Sequence, residues 1–267
     1  MPSWNIHIAQ TERLMERDGA CARTVRDLNA FLFGNVVPDI FVGYMVPGIT
    51  HPIPYRETHF ASPEPIPKPR EREFWDAFVA PLERRVAELP RSSDAMCSLT
   101  GSITPMTVTP ARVPAPSVRG AAAQELDAAP LPAMRSLFDF TLGAWAHLLA
   151  DNLWNTRVNQ YLDARGERPS EGFRIKKQAD FDGFGKTLHI TSVPREDRSL
   201  IQAAEAFPQY PIGATYVHDT ITVIHEIVRT NGGTDRHLPY LLLTDEFFAS
   251  TFEEVLDTTD RAVAERL

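Results

Sequence analysis

The 267-residue chain holds only two cysteines, Cys21 and Cys97, too few for a disulfide framework or a thiolate-based zinc knuckle, so reduced thiols are the default expectation. It has no surplus of positive charge. Lys and Arg number 27 against 35 Asp and Glu, a net charge of −8, which offers no footprint for a nucleic-acid backbone or an anionic lipid surface. Long apolar runs are also missing. The stretches from Ile40 to Ile49 and from Leu241 to Leu243 are short and interrupted by Pro47 or by charge, well under the roughly 20 residues of a transmembrane helix. The opening Met1-Pro2-Ser3-Trp4-Asn5-Ile6-His7 has no basic stretch leading into an apolar core, and a cytoplasmic protein is the expectation. No Gly-x-Ser-x-Gly elbow, phosphate-binding glycine loop or dinucleotide fingerprint occurs, which leaves serine hydrolases, nucleotide kinases and Rossmann dehydrogenases without a foothold. Glycine is scarce, 14 residues against 22 prolines.

What is present reads as a single, predominantly α-helical domain over 1–267. Apolar residues recur at helical spacing from Trp4 to Phe33, with a break at Gly19, predicting two helices. Gly34 ends the second, and Pro38 then sets Asp39 in a rigid loop. Seven prolines between Pro47 and Pro69 impose an extended segment that carries His51 and His59. A helix is expected over Glu71–Leu89, followed by a flexible insertion over 91–132, rich in Ser, Thr, Ala and Pro. Ala133 to Asp163 predicts a central helix that is apolar on nearly every face, with Leu142, Trp145, Leu149 and Leu153 on one side and Phe140, Trp154 and Val158 on another. Thr187–Val193 alternates weakly, as a short strand would. Helices follow over Ser199–Ala206, Tyr216–Thr230 and Thr244–Leu267, with Asn231-Gly232-Gly233 as a stop and Thr244-Asp245-Glu246 as a start.

On the central helix, His147 and Asp151 stand four residues apart and therefore one turn apart on one face. Such a pair either grips a cation or forms a buried hydrogen bond that holds the helix in place. Further ligands are available in Asp39, in His59 within Thr58-His59-Phe60, and in His7 on the first helix. This mixture of imidazole and carboxylate suits zinc or a neighbouring transition metal, and a centre with one position left to water generates a hydroxide nucleophile near neutral pH. His218 and His225 share a stripe with Ile221 and Val228 and are read as core histidines. Together with Glu226 they form the candidate second site. His51, His189 and His237 are expected at the surface, and Trp4 is read as an apolar packing residue.

The segments His7, Phe33-Gly34-Asn35-Val36-Val37-Pro38-Asp39, Thr58-His59-Phe60 and Gly143-Ala144-Trp145-Ala146-His147-Leu148-Leu149-Ala150-Asp151 resemble, in order, those of the zinc-dependent phospholipase C family. The wider superfamily of that all-α fold includes the P1-type nucleases. The resemblance spans residues 7–151. It implies a multi-helix bundle with long Pro-rich loops in which Asp39, His59, His147 and Asp151 coordinate one zinc ion, with His7 a further ligand. Additional ions in that family use a processed N-terminal tryptophan, a His soon after the helix Asp and a later His-x-x-x-Glu pair. None of the three is present here in that form, so one ion is expected and more are left open.

The implied activity is hydrolysis of a phosphate ester, with a phospholipid-like phosphodiester or another small ester as substrate and Asp39 able to act as the base. Two alternatives stand beside it. One is a non-catalytic, metal-stabilised binding protein of the same fold. The other is a phosphohydrolase of the type named for its His-Asp doublet, using His218-Asp219 with His147 or His59 and a downstream acid such as Asp245.

Overall fold

A computed structural model describes residues 2–64, 66–88, 131–233 and 239–267. Helix α1 (Trp4–Glu16) is followed by two short helices, α2 (Ala20–Thr24) and α3 (Leu28–Gly34), where two helices were expected before Gly34. The division has a local cause. The Asp27 side chain accepts the Ala30 amide at 3.0 Å and so starts a new helix. Two single-turn helices come next, α4 (Val37–Ile40) and α5 (Tyr55–Thr58), placing Asp39 in a helical turn begun at a proline rather than in a loop.

The helix expected over Glu71–Leu89 is present as α6 (Glu71–Phe74), a π-turn (Trp75–Val79) and α7 (Ala80–Glu88). Pro81 explains the interruption, because it lacks an amide and its ring crowds the carbonyl four residues back, which a wider turn relieves. The expected insertion at 91–132 lies, except for its last two residues, outside the described residues.

Helix α8 (Leu131–Ala164) is the hub. Of the two faces named from its sequence, Leu142, Trp145, Phe140, Trp154 and Val158 are each 0 % exposed and Leu149 is buried, whereas Leu153 is half-buried. The remaining helices, α9 (Glu171–Thr187), α10 (Arg198–Glu205), α11 (Ala214–Thr230) and α12 (Asp245–Arg266), complete an all-α fold, with no strand among the described residues. Of Thr187–Val193, expected as a strand, Thr187 ends α9 and residues 188–193 are extended without a partner strand among the described residues. They are tied down instead by the Glu12 carboxylate, which accepts the Thr191 and Ser192 amides at 2.7 and 2.6 Å. Helix α9 has no counterpart in the sequence reading. It starts where Ser170 accepts the Phe173 amide at 3.1 Å, and polar residues dilute its apolar period. Thr244 caps α12 in the expected way, and α11 ends at Asn231.

One contact controls the position of everything near Asp39. A Cβ built on Gly143 would sit 2.2 Å from the Phe31 carbonyl oxygen, and one on Gly34 would sit 2.0 Å from the Phe140 carbonyl oxygen. Helices α3 and α8 therefore touch backbone to backbone, which any side chain at either glycine would prevent.

Candidate metal centre

The close approach of α3 and α8 brings the Asn35 carbonyl within 2.9 Å of His147 Nδ1. A carbonyl only accepts, so Nδ1 carries the proton and the neutral ring turns a bare Nε2 inward. That Nε2 lies 3.2 Å from Nε2 of His59. His59 is oriented in a similar way. Its Nδ1 is 2.8 Å from Thr58 Oγ1, which also lies 3.3 Å from the Tyr55 carbonyl; when the Thr58 proton goes to that carbonyl, Nδ1 donates and Nε2 is bare as well. In that tautomer two lone pairs face each other in the protein interior. Asp39 Oδ1 is 3.3 Å from His59 Nε2, Asp151 Oδ2 is 3.6 Å from it, and Asp151 Oδ1 is 3.5 Å from His7 Nε2. Both nitrogens of His7, together with Asp39 Oδ1 and Asp151 Oδ1, have no hydrogen-bond partner.

Unpaired polar atoms at this depth are costly. His7, His59, His147 and Asp151 are 0 % exposed and Asp39 is 3 %. A single proton on one imidazole would relieve one contact and leave the others. A cation with several coordination positions relieves most of them together, and the donor set of imidazole nitrogen and carboxylate oxygen is that of a metal site. Among the described residues, the groups of three or more His, Cys, Asp or Glu ligand atoms lying within 4.8 Å of one another are His7, His147, Asp151 and Asp39, His59, His147. They share His147, whose inward nitrogen has one lone pair and serves one ion.

The surrounding residues hold these ligands in place. Trp4, expected only to pack, donates its indole N–H to Asp39 Oδ2 at 3.1 Å and leaves Oδ1 for the centre. Tyr55 donates its hydroxyl to Asp151 Oδ2 at 3.1 Å and stacks on His59 with ring centroids 3.7 Å apart. The His7 and His147 rings stack at 4.0 Å. Immediately after His59, Phe60 adopts a left-handed φ of 53°, a strained state for a bulky residue. Its carbonyl is held by the Arg70 amide at 3.1 Å, and its ring packs on Phe74 and Phe78.

Charge follows the geometry. Burial pushes the Asp39 carboxyl up, but the contact with His59 and the nearby His147 outweigh it and hold the group below its ordinary value. Asp151 is likewise lowered, burial being overcome by His147 and His7. Burial, reinforced by His7, pulls His147 down to about 3, which keeps the ring neutral and its nitrogen available.

The chain matches no family model, no curated protein and no solved structure. Its chemistry is therefore read from the residues themselves.

The structure brings His7, Asp39, His59, His147 and Asp151 together, but not the candidate second site. His218 is exposed and pairs with Glu196 at 2.8 Å, His225 is exposed, and Glu226 pairs with Arg229 at 2.6 Å. Neither histidine is a core residue. The α11 face that carries Val217, Thr220 and Ile224 is the one that turns inward, a rotation that the His218–Ile221–Val228 spacing alone did not decide. The His-Asp doublet at 218–219 therefore starts on an exposed residue, outside both ligand groups. His51 and His189 are exposed, and His237 lies outside the described residues.

A cavity of about 460 Å³ reaches the centre's surroundings at Tyr55. Besides Tyr55, its lining includes Tyr44, Asn155, Phe173, Arg174 and Lys177. Sequence reasoning missed Tyr55, Trp4 and Lys177, which carry no motif of their own.

Proposed function

We propose that this protein is a metal-dependent hydrolase of phosphate esters, with zinc held by Asp39, His59, His147 and Asp151 and with His7 beside them, as in the zinc-dependent phospholipase C family that its segments resemble. The observation that carries this reading is the pair of inward-facing Nε2 atoms of His59 and His147, 3.2 Å apart, with Asp39 Oδ1 at 3.3 Å from the first. Tetrahedral zinc with bonds of about 2.0–2.1 Å has ligand–ligand edges of about 3.3–3.4 Å. These two spacings match that edge, and Asp151 Oδ2 stands farther out, 3.6 Å from His59 Nε2 and 3.9 Å from His147 Nε2.

When bound, zinc supplies a lowered pKa to water and polarises a phosphoryl oxygen. The chain's own residues do the rest. Trp4 fixes one oxygen of Asp39, so the other is free to ligate or to accept a proton from the attacking water. Tyr55 holds Asp151 while forming part of the cavity wall from which a substrate would approach. Asp39, His59 and His147 form one compact triad and His7, His147 and Asp151 another; His147 serves one ion, so beside an ion on the first triad a second would find only His7 and Asp151 Oδ1.

One measurement tests the centre: metal content per chain in wild type and in His59→Ala, His147→Ala and Asp151→Ala. About one zinc in wild type and loss in each variant is expected, and stoichiometric metal retained by all three would overturn the site. Activity is tested by cleavage of simple phosphodiesters, expected in the zinc-loaded protein and abolished by Asp39→Asn.

A second reading is favoured by the near-complete burial of all five residues, which suits an ion that only braces a binding protein. It would prevail if the zinc-loaded protein cleaved no phosphate ester while Asp151→Ala still lowered its melting temperature.

A further inference from the structure

Lys177 on α9 is only 8 % exposed, and among the described residues no carboxylate lies within the 4.0 Å of an ion pair with it. The other cation of the same cavity, Arg174, is exposed and engaged by Glu171 at 2.9 Å. A buried, unneutralised ammonium is expensive, and proteins keep one where an anion will meet it. Burial pulls the Lys177 amine down, and the negative charge of Asp151 is among the influences that oppose it. The cavity and the centre are joined structurally. Asn155 stands one helical turn beyond Asp151 on α8, and Tyr55 both lines the cavity and bonds Asp151.

The charge balance at the centre says what the lysine is for. Asp39 and Asp151 together neutralise one divalent ion, and the histidines add no charge. Such a centre has little net attraction for an anionic ester, so the positive charge that captures the ester has to come from beside it. The remaining walls include the rings of Tyr44, Tyr55 and Phe173 and the apolar side chain of Ile66, which suit an uncharged organic group.

We propose that this cavity is the substrate subsite, in which Lys177 pairs with the phosphoryl group of a small phosphate ester and the aromatic walls receive its aryl or alkyl portion. The assignment names the substrate class for the reading given under Proposed function and rests on it for the catalytic step only. Phosphate oxygen recognition by Lys is a point-charge interaction, so Lys177→Arg should preserve it and Lys177→Met should abolish it.

The test uses the zinc-loaded full chain and titration calorimetry with two probes, phenylphosphonate, whose P–C bond is not hydrolysed, and inorganic phosphate. Phenylphosphonate should bind more tightly than inorganic phosphate. Lys177→Met should weaken phenylphosphonate by about tenfold or more, Lys177→Arg should stay within a few-fold of wild type, and zinc content and melting temperature should be unchanged in both. Unaltered binding in Lys177→Met overturns the proposal. Loss of zinc together with binding in that variant, without rescue by Lys177→Arg, also overturns it, since Lys177 would then be a structural counter-charge. If Lys177→Met does not fold, Tyr44→Ala carries the test: weaker phenylphosphonate with unchanged inorganic phosphate supports the subsite, and no change in either removes it. Because this probe is bound without turnover, the two readings separate. Lys177-dependent binding with no ester cleavage sustains the subsite and overturns the hydrolase, whereas cleavage unaffected by Lys177→Met does the reverse.

Discussion

The Trp4 indole and the Tyr55 hydroxyl each hold one oxygen of a buried carboxylate, and what they contribute is orientation rather than affinity of their own. Removing such an outer hydrogen bond commonly costs about 10- to 100-fold in metal affinity. Trp4→Phe keeps the ring and deletes the donor to Asp39 Oδ2, so it should weaken zinc by about that range, read by competition with a chromogenic chelator. The stability of the metal-free protein should fall by only about 1–3 kcal/mol, the cost of one buried oxygen left unpaired. Tyr55→Phe should do the same through Asp151. Equal zinc affinity in wild type and both variants would show that these contacts only pack.

Between elements, the glycine contact of α3 with α8 sets the register of the centre, because Asn35 follows α3 directly and its carbonyl orients His147. Gly143→Ala places a methyl 2.2 Å from the Phe31 carbonyl. The helices must separate, and a loss of about 2–3 kcal/mol in chemical denaturation is expected, together with weakened metal binding as the Asn35–His147 bond lengthens. Gly172, near the start of α9, is the control. A Cβ there meets nothing within 4 Å, so Gly172→Ala should stabilise by about 0.5–1 kcal/mol through helix propensity alone. Opposite signs at two helical glycines would tie the effect to close approach.

For the molecule as a whole, the proposed ligands Asp39, His59, His147 and Asp151 come from α4, the end of α5 and α8, so an ion bound by them would cross-link segments from residue 39 to residue 151. Zinc at 100 to 1,000 times its Kd should therefore add about 3–4 kcal/mol to unfolding, seen as a rise in melting temperature that a chelator reverses. Stability should also respond to pH through Asp139, a buried carboxyl on α8 that accepts the Arg26 and Asp27 amides at 3.0 and 2.8 Å. Burial raises it to about 6 despite Arg135. Its folded value lies above its unfolded one, so between about pH 4 and 6 the folded state holds a proton that the unfolded chain has lost. Its contribution is then present below pH 4 and is lost as the pH climbs through 6. Asp139→Asn should gain on wild type across that window in paired thermal melts, by an amount of order 1–3 kcal/mol. A pH-independent difference between the two proteins would refute the assignment.

Helix identity was legible wherever an apolar period or a cap announced it, as at α8 and at Thr244, because those signals are local and obey the 3.6-residue turn. The five candidate ligands were legible for a related reason: His147 and Asp151 share a face by spacing, and the others stand in an ordered set of short segments. Their assembly was not. Only the tertiary structure pairs Trp4 with Asp39 across 35 residues, turns His218 and His225 outward, and leaves residues 188–193 without a partner strand, since each depends on which surfaces the folded chain covers. Lys177 is the clearest case. It lies on a helix that the apolar pattern did not reveal, and only the packing shows that it is buried beside the cavity. Chemistry-bearing residue types belong to the sequence, whereas their protonation, their partners and their access to a ligand are set by the low-dielectric packing that the fold imposes.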